Sequence, residues 1–185
     1  YIARPYVKTI PLLVPGMSVN TQRFTSQERR YVSEADTYIS NGFLPIEKLV
    51  YKYLRKSKEP LPVVRLAQQD NLRSYGPVSL VSGSKKDPHI WLSPLELKVS
   101  AQLIAKEMTR LDPQRQRLYQ QRLQQFHKEL DTLHRILTRQ LRPISGHSFL
   151  VFYPSLGYFG DLYGLRQVVV TVTGKDIVPS VMKEV

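Results

Sequence analysis

Tyr119, Leu123, Phe126, Leu130, Leu133, Leu137 and Leu141 recur at spacings of three and four, with Arg, Gln, Lys and Glu between them. That periodicity predicts one helix with one apolar stripe, roughly 30 residues and on the order of 45 Å long. Upstream, Leu95, Val99, Leu103 and Met108 predict a preceding helix. Asp112-Pro113 either interrupts it or restarts the chain as the long helix, since Asp caps a helix and Pro suits its first position. Arg142-Pro143 and Ser145-Gly146 stop the run.

On either side the period changes to that of strands and short helices. Val7 to Val14 (VKTIPLLV) reads as a strand ending at Pro15-Gly16. Thr25 with Glu28 offers a capped start to a short helix running toward Ala35. A strand at Thr37 to Ser40, the turn Asn41-Gly42, a helix from Pro45 to Arg55 with Ile46, Leu49, Val50 and Tyr53 on one face, and a strand at Val63 to Leu66 follow. After the long helix come a strand at Ser148 to Tyr153, a helical or turn segment from Pro154 to Tyr163, a strand at Gln167 to Thr173, and a turn at Gly174-Lys175-Asp176. Alternating strands and helices argue for parallel sheets. The expected architecture is therefore α/β: an N-terminal lobe over 1–94, a linking backbone helix over 95–142, and the start of a second α/β lobe over 143–185. Two lobes joined by a stiff helix leave a cleft between them, where small ligands bind.

Charge narrows the partners less than its size suggests. The chain carries 27 basic against 15 acidic residues, a net charge of +12. Only KYLRKSK (52–58) is a dense cluster, and neither an RNP-like run nor Cys/His finger spacing accompanies it, so no nucleic-acid partner is expected. The chain has no cysteine, which excludes disulfides and thiolate metal sites. No run of about 18 apolar residues occurs. Without an initiator methionine or a signal-peptide pattern, the sequence is expected to begin inside a longer or processed polypeptide.

No catalytic constellation emerges. There is no GxSxG elbow, phosphate-cradling glycine loop or HExxH helix, and nothing in the residues proposes a reaction; the expected protein is not an enzyme. Of four histidines, His127 and His134 lie seven apart on the long helix beside charged residues and read as a solvated face, and His147 as a loop residue. His89 stands out in Asp87-Pro88-His89-Ile90-Trp91-Leu92-Ser93-Pro94: a turn-forming Asp-Pro precedes it, and Trp91, the single tryptophan, can wall it from water. One imidazole is not a transition-metal site, because three or four ligands must converge.

DPHIWLSP, then DPQRQRLYQQRLQQFHKEL from Asp112, then SFLVFYPSLGYFGDLYGL from Ser148 resemble, in order, segments of the zinc- and manganese-type solute-binding proteins of bacterial ABC importers. Leu13-Val14-Pro15-Gly16, Ala35-Asp36 with Asn41-Gly42, and GKDIVPS from Gly174 extend the resemblance over most of residues 7 to 185. It implies two α/β lobes bridged by one rigid helix, with zinc or manganese held in the cleft by three histidines and a carboxylate. It also implies a periplasmic or extracytoplasmic location, in some members on a lipid anchor, and an ABC permease as partner. Carried over residue by residue, His89 is the retained metal ligand, while Asn20 and Tyr153 stand where the family has its other two histidines. The fourth ligand would follow Val185, and a strand–helix unit would precede residue 7, so the second lobe is expected to be incomplete. A neutral amide oxygen and a phenol are weak zinc ligands at neutral pH. Altered or weakened metal binding is the expectation, with a non-metal solute, or adhesion to an anionic polymer, as alternatives.

Overall fold

The computed structural model describes residues 1–13, 24–57, 61–67 and 87–169. In order these form α1 (Ser26–Ser33), β1 (Tyr38–Ser40), α2 (Pro45–Leu54), β2 (Val63–Arg65), α3 (Pro94–Leu111), α4 (Gln116–Leu141), β3 (Ser148–Val151), α5 (Gly157–Tyr163) and β4 (Arg166–Val169). Contacts group the chain into two units, one of residues 1–68 with 99–126 and the other of residues 69–98 with 127–185. The division passes through α3 between Lys98 and Val99, and through α4 between Phe126 and His127.

In the first unit the local signals act as the sequence suggests. Thr25 caps α1 by accepting from Glu28 N at 3.2 Å, and Glu28 returns the bond by accepting from Thr25 N. β1 and β2 pair in parallel, Tyr38 against Val63, with α2 as the crossover that parallel strands require. α2 buries Ile46 and Val50. Its Glu47 is 3% exposed yet fully engaged: one carboxylate oxygen accepts from Ser40 Oγ at 2.7 Å, the other from the Gly42 and Leu44 amides at 2.8 and 2.9 Å. Ser40 Oγ also shares a 2.6 Å bond with the Tyr51 hydroxyl. Burial, followed by the Glu47 charge, raises the Tyr38 phenol far above its ordinary range.

The core of this unit joins Ile2 to Ala101, Ala105, Met108, Tyr119 and Leu123. Each large member contributes about 1.5–3 kcal/mol by leaving water. The buried side of α3 is therefore the alanine row ending at Met108; of the apolar residues expected along this helix Met108 is buried, while Leu95 and Val99 are exposed (41% and 49%). The small side chains permit close approach, which a reading by hydrophobic size overlooks. The N-terminal peptide is pinned from α4: Arg122 donates to the Ile2 and Arg4 carbonyls, and Arg115 lies 4.4 Å from the centre of the Tyr6 ring. Asp112 accepts from Arg115 at 2.6 Å and from the Tyr119 hydroxyl at 2.9 Å, and the Arg115 guanidinium holds its carboxyl below the usual range.

The strand expected at Val7 to Val14 is absent over residues 7–13. Pro11 offers no N–H for a ladder, and Lys8 to Pro11 are exposed with no partner strand among the described residues. The linking segment is two helices: α3 ends at Leu111, a 3-10 turn spans Pro113–Arg115, and α4 restarts with 26 residues. Along its stripe Tyr119, Leu123 and Leu130 are buried, but Leu133 is 44% exposed.

In the second unit β3 and β4 pair in parallel, Ser148 against Arg166, with α5 between them in sequence. α5 closes on Gly164 in the left-handed conformation (φ 69°) and packs Gly160 so tightly that a Cβ there would stand 2.8 Å from the Leu165 carbonyl oxygen. His127 and His134 are half-buried and not a solvated face. His127 Nε2 meets the Lys98 carbonyl at 3.2 Å, and His134 Nδ1 meets the Tyr163 hydroxyl at 3.3 Å. His147 is an exposed loop residue, as expected. The expected turn at Gly174–Asp176, the end of the last strand, and Asn20 lie outside the described residues. No helix among the described residues is long and apolar enough to cross a membrane.

Candidate functional site

The DPHIW segment belongs to the second unit and is built by its own first residue. Asp87 is fully buried, and its Oδ1 accepts from the His89 backbone N–H at 3.0 Å, the local Asp turn expected before a proline. The same oxygen lies 2.7 Å from His89 Nδ1. Ile90 N donates to the Pro88 carbonyl at 2.9 Å, and the 3-10 turn Ile90–Leu92 carries the chain to Ser93. Ser93 Oγ then accepts from Glu96 N at 3.3 Å and opens α3, with Pro94 at its first position. Two successive turns fixed by Asp87 and Ser93 thus hold His89 at 5% exposure.

Two aromatic rings stand edge-on to that imidazole. The Trp91 ring centre is 5.1 Å away at 66°, and the Tyr153 ring centre, from the residues after β3, is 5.7 Å away at 85°. Both are partly exposed (39% and 41%), so the cluster has a buried imidazole and an accessible aromatic rim. Tyr158 on α5 donates its hydroxyl proton to the Asp87 carbonyl at 3.1 Å, tying the loop to the β3–α5–β4 motif. Burial, then the Asp87 charge, raises the Tyr153 phenol above its ordinary value, so at neutral pH it is an uncharged hydrogen-bonding group.

Of the residues singled out in the sequence, His89, Trp91 and Tyr153 come together, and Asn20 lies outside the described residues. Among the described residues no three His, Cys, Asp or Glu side chains converge on one point. Sequence reasoning treated Asp87 only as a turn former and passed over Tyr158. The signal for Asp87 was available in its place two residues before His89, but the partner of Tyr158 lies 71 residues away in the chain. A surface depression of about 380 Å³ runs along α4 and the turn after it, between His134, Arg135, Thr138, Arg139 and Arg142. It has no part in the His89 cluster. One helix and its exit turn supply all its walls, so it is space between long arginine side chains and not a ligand chamber.

Comparison with known proteins adds a lineage to this geometry. The sequence profile of a family described as zinc-uptake complex component A, periplasmic (ZnuA), matches residues 1–185. The chain is similar to the high-affinity zinc uptake system protein ZnuA of Haemophilus influenzae, with 37% identity over 79 residues, 43% of this chain and 23% of that protein. It is also similar to a crystal structure of ZnuA, with a TM-score of 0.83 and 30% identity over 99% of this chain and 69% of the other. A zinc-bound ZnuA lacking residues 138–173 superposes with a TM-score of 0.77 and 32% identity, covering 93% of this chain and 65% of the other. The aligned segment spans about a quarter of the length of the Haemophilus influenzae relative.

Proposed function

The chain belongs to the periplasmic zinc-uptake component family, and from that premise we propose that it is the metal-capturing solute-binding component of an ABC importer. Its cargo is a divalent ion, zinc or manganese, handed to a membrane permease outside the cytoplasm.

The observation that supports it most is the cluster at His89. A buried imidazole, held by a carboxylate and faced by Tyr153, occupies the place where the family resemblance puts two metal ligands. Tyr153 also sets the strength. A phenol that stays protonated gives a metal one neutral oxygen in place of an imidazole nitrogen, and Asn20 would give one amide oxygen. Capture is therefore weakened relative to a three-histidine site.

Calorimetric titration of metal-stripped protein with zinc and with manganese tests this. The expected dissociation constant is on the order of micromolar, about −8 kcal/mol. His89→Ala abolishes the binding, and Tyr153→His tightens it by more than about tenfold. Absence of heat with both ions, in the wild type and in Tyr153→His alike, would refute the metal reading and leave a non-metal solute.

A further inference from the structure

We propose that Asp87 is a positioning residue for the cargo site: it holds the His89 ring as the Nδ1–H tautomer and so presents Nε2 as the donor atom. The inference rests on the metal reading above and adds the atom through which His89 acts.

An imidazole has two nitrogens, and only the one without a proton can bind a metal. A carboxylate can only accept, so the nitrogen facing it carries the hydrogen. Asp87 Oδ1 is 2.7 Å from Nδ1. The residue that carries this oxygen is held in place. The side chain is fully buried, the His89 backbone N–H donates to the same atom at 3.0 Å, and the Tyr158 hydroxyl anchors the Asp87 carbonyl at 3.1 Å. The Trp91 and Tyr153 rings, 5.1 and 5.7 Å away and both edge-on, restrict rotation of the imidazole about Cβ–Cγ, which would put Cδ2 in place of Nδ1 at the carboxylate. Carboxylates behind metal-binding imidazoles act in this way, and their loss weakens affinity about 10–100-fold.

The tautomer is read in metal-free, 15N-labelled protein at pH 8 by long-range proton–nitrogen correlation of the imidazole. Wild type is expected to give His89 protonated on Nδ1. Asp87→Ala is expected to mix the tautomers and weaken zinc binding about 10–100-fold. Asp87→Asn is expected to keep the Nδ1–H form, because the backbone N–H of His89 holds the amide oxygen in place. Its weaker acceptor speeds exchange of that proton with water and costs zinc affinity only a few-fold. Melting curves followed by circular dichroism establish that each variant is folded. If Asp87→Ala does not fold, wild type and Asp87→Asn decide the matter alone. Protonation on Nε2 in wild type overturns the proposal, as does unchanged zinc affinity in Asp87→Ala, or unchanged proton exchange and affinity in Asp87→Asn. A wild-type ring protonated on Nδ1 in a protein that binds neither ion supports positioning by Asp87 and overturns the metal reading instead.

Discussion

Replacing Glu47 by alanine is expected to cost about 3 kcal/mol of stability. The carboxylate satisfies three donors: the Ser40 hydroxyl and the backbone N–H groups of Gly42 and Leu44. Ser40 retains the Tyr51 hydroxyl as a partner, so its loss is small. The two amides have no acceptor to turn to, and a buried donor left unmade costs about 1–3 kcal/mol. Two such donors would cost about 2–6 kcal/mol if fully buried; Gly42 and Leu44 are half-buried, so water recovers part of this and the loss falls to about 3 kcal/mol. Glutamine separates charge from geometry. Its carbonyl oxygen can serve both amides while its NH2 donates to Ser40 Oγ, which turns to donate to Tyr51. Glu47→Gln should therefore cost only about 1 kcal/mol. Guanidinium denaturation followed by circular dichroism gives both values, and amide exchange of Gly42 and Leu44 shows whether the loop opens first. If Glu47→Gln costs as much as Glu47→Ala, or Glu47→Ala costs under about 1 kcal/mol, the network is not what secures α2 to β1.

Two further measurements probe the rest of the molecule. Gly160→Ala should destabilise the second unit by about 1–3 kcal/mol, since its Cβ would stand 2.8 Å from a backbone oxygen that cannot move aside cheaply, whereas Gly146→Ala meets no atom and costs about 1 kcal/mol for its φ of 88° alone; paired thermal melts compare them. Asp112 has a carboxyl pKa lowered in the folded protein by Arg115 and then Tyr119, so its stabilising contribution is present above the ordinary carboxylate pKa and lost as pH falls through the lower folded value; Asp112→Asn should flatten the fall in melting temperature between about pH 5 and pH 3, and an unchanged slope would refute it.

The parts of the fold legible in the sequence were those set by neighbours in the chain. Thr25 and Glu28 are three residues apart and cap α1; Asp112 and Pro113 mark the break between α3 and α4; Arg142-Pro143 ends α4. What escaped depended on distant partners or on small residues. Ala101 and Ala105 carry little hydrophobic weight yet form the buried side of α3, and His127 and His134 looked solvated because their partners, Lys98 and Tyr163, each lie 29 residues away. Glu47 had a local signal, three residues after Leu44 at the start of α2, but its burial depends on β1. At the site, the resemblance led to His89 and Tyr153, and the structure brings them within ring contact. The role of Asp87 shows only once both of its bonds to His89 are seen together.

The contact grouping that cuts α3 and α4 in mid-helix has a consequence in time. The core of the first unit joins Ile2 to residues from Ala101 to Leu123, so Ile2 cannot complete its packing when it is made. Residues 1–68 are made before residues 69–98, which belong to the other unit, and these before the rest of the first unit. At about 5–20 residues per second that interval lasts seconds, with Ile2 and Ile39 lacking their partners on α3 and α4 throughout. The first unit is thus assembled out of chain order, and Ile2 is secured only after residues as far on as Leu123 have been made.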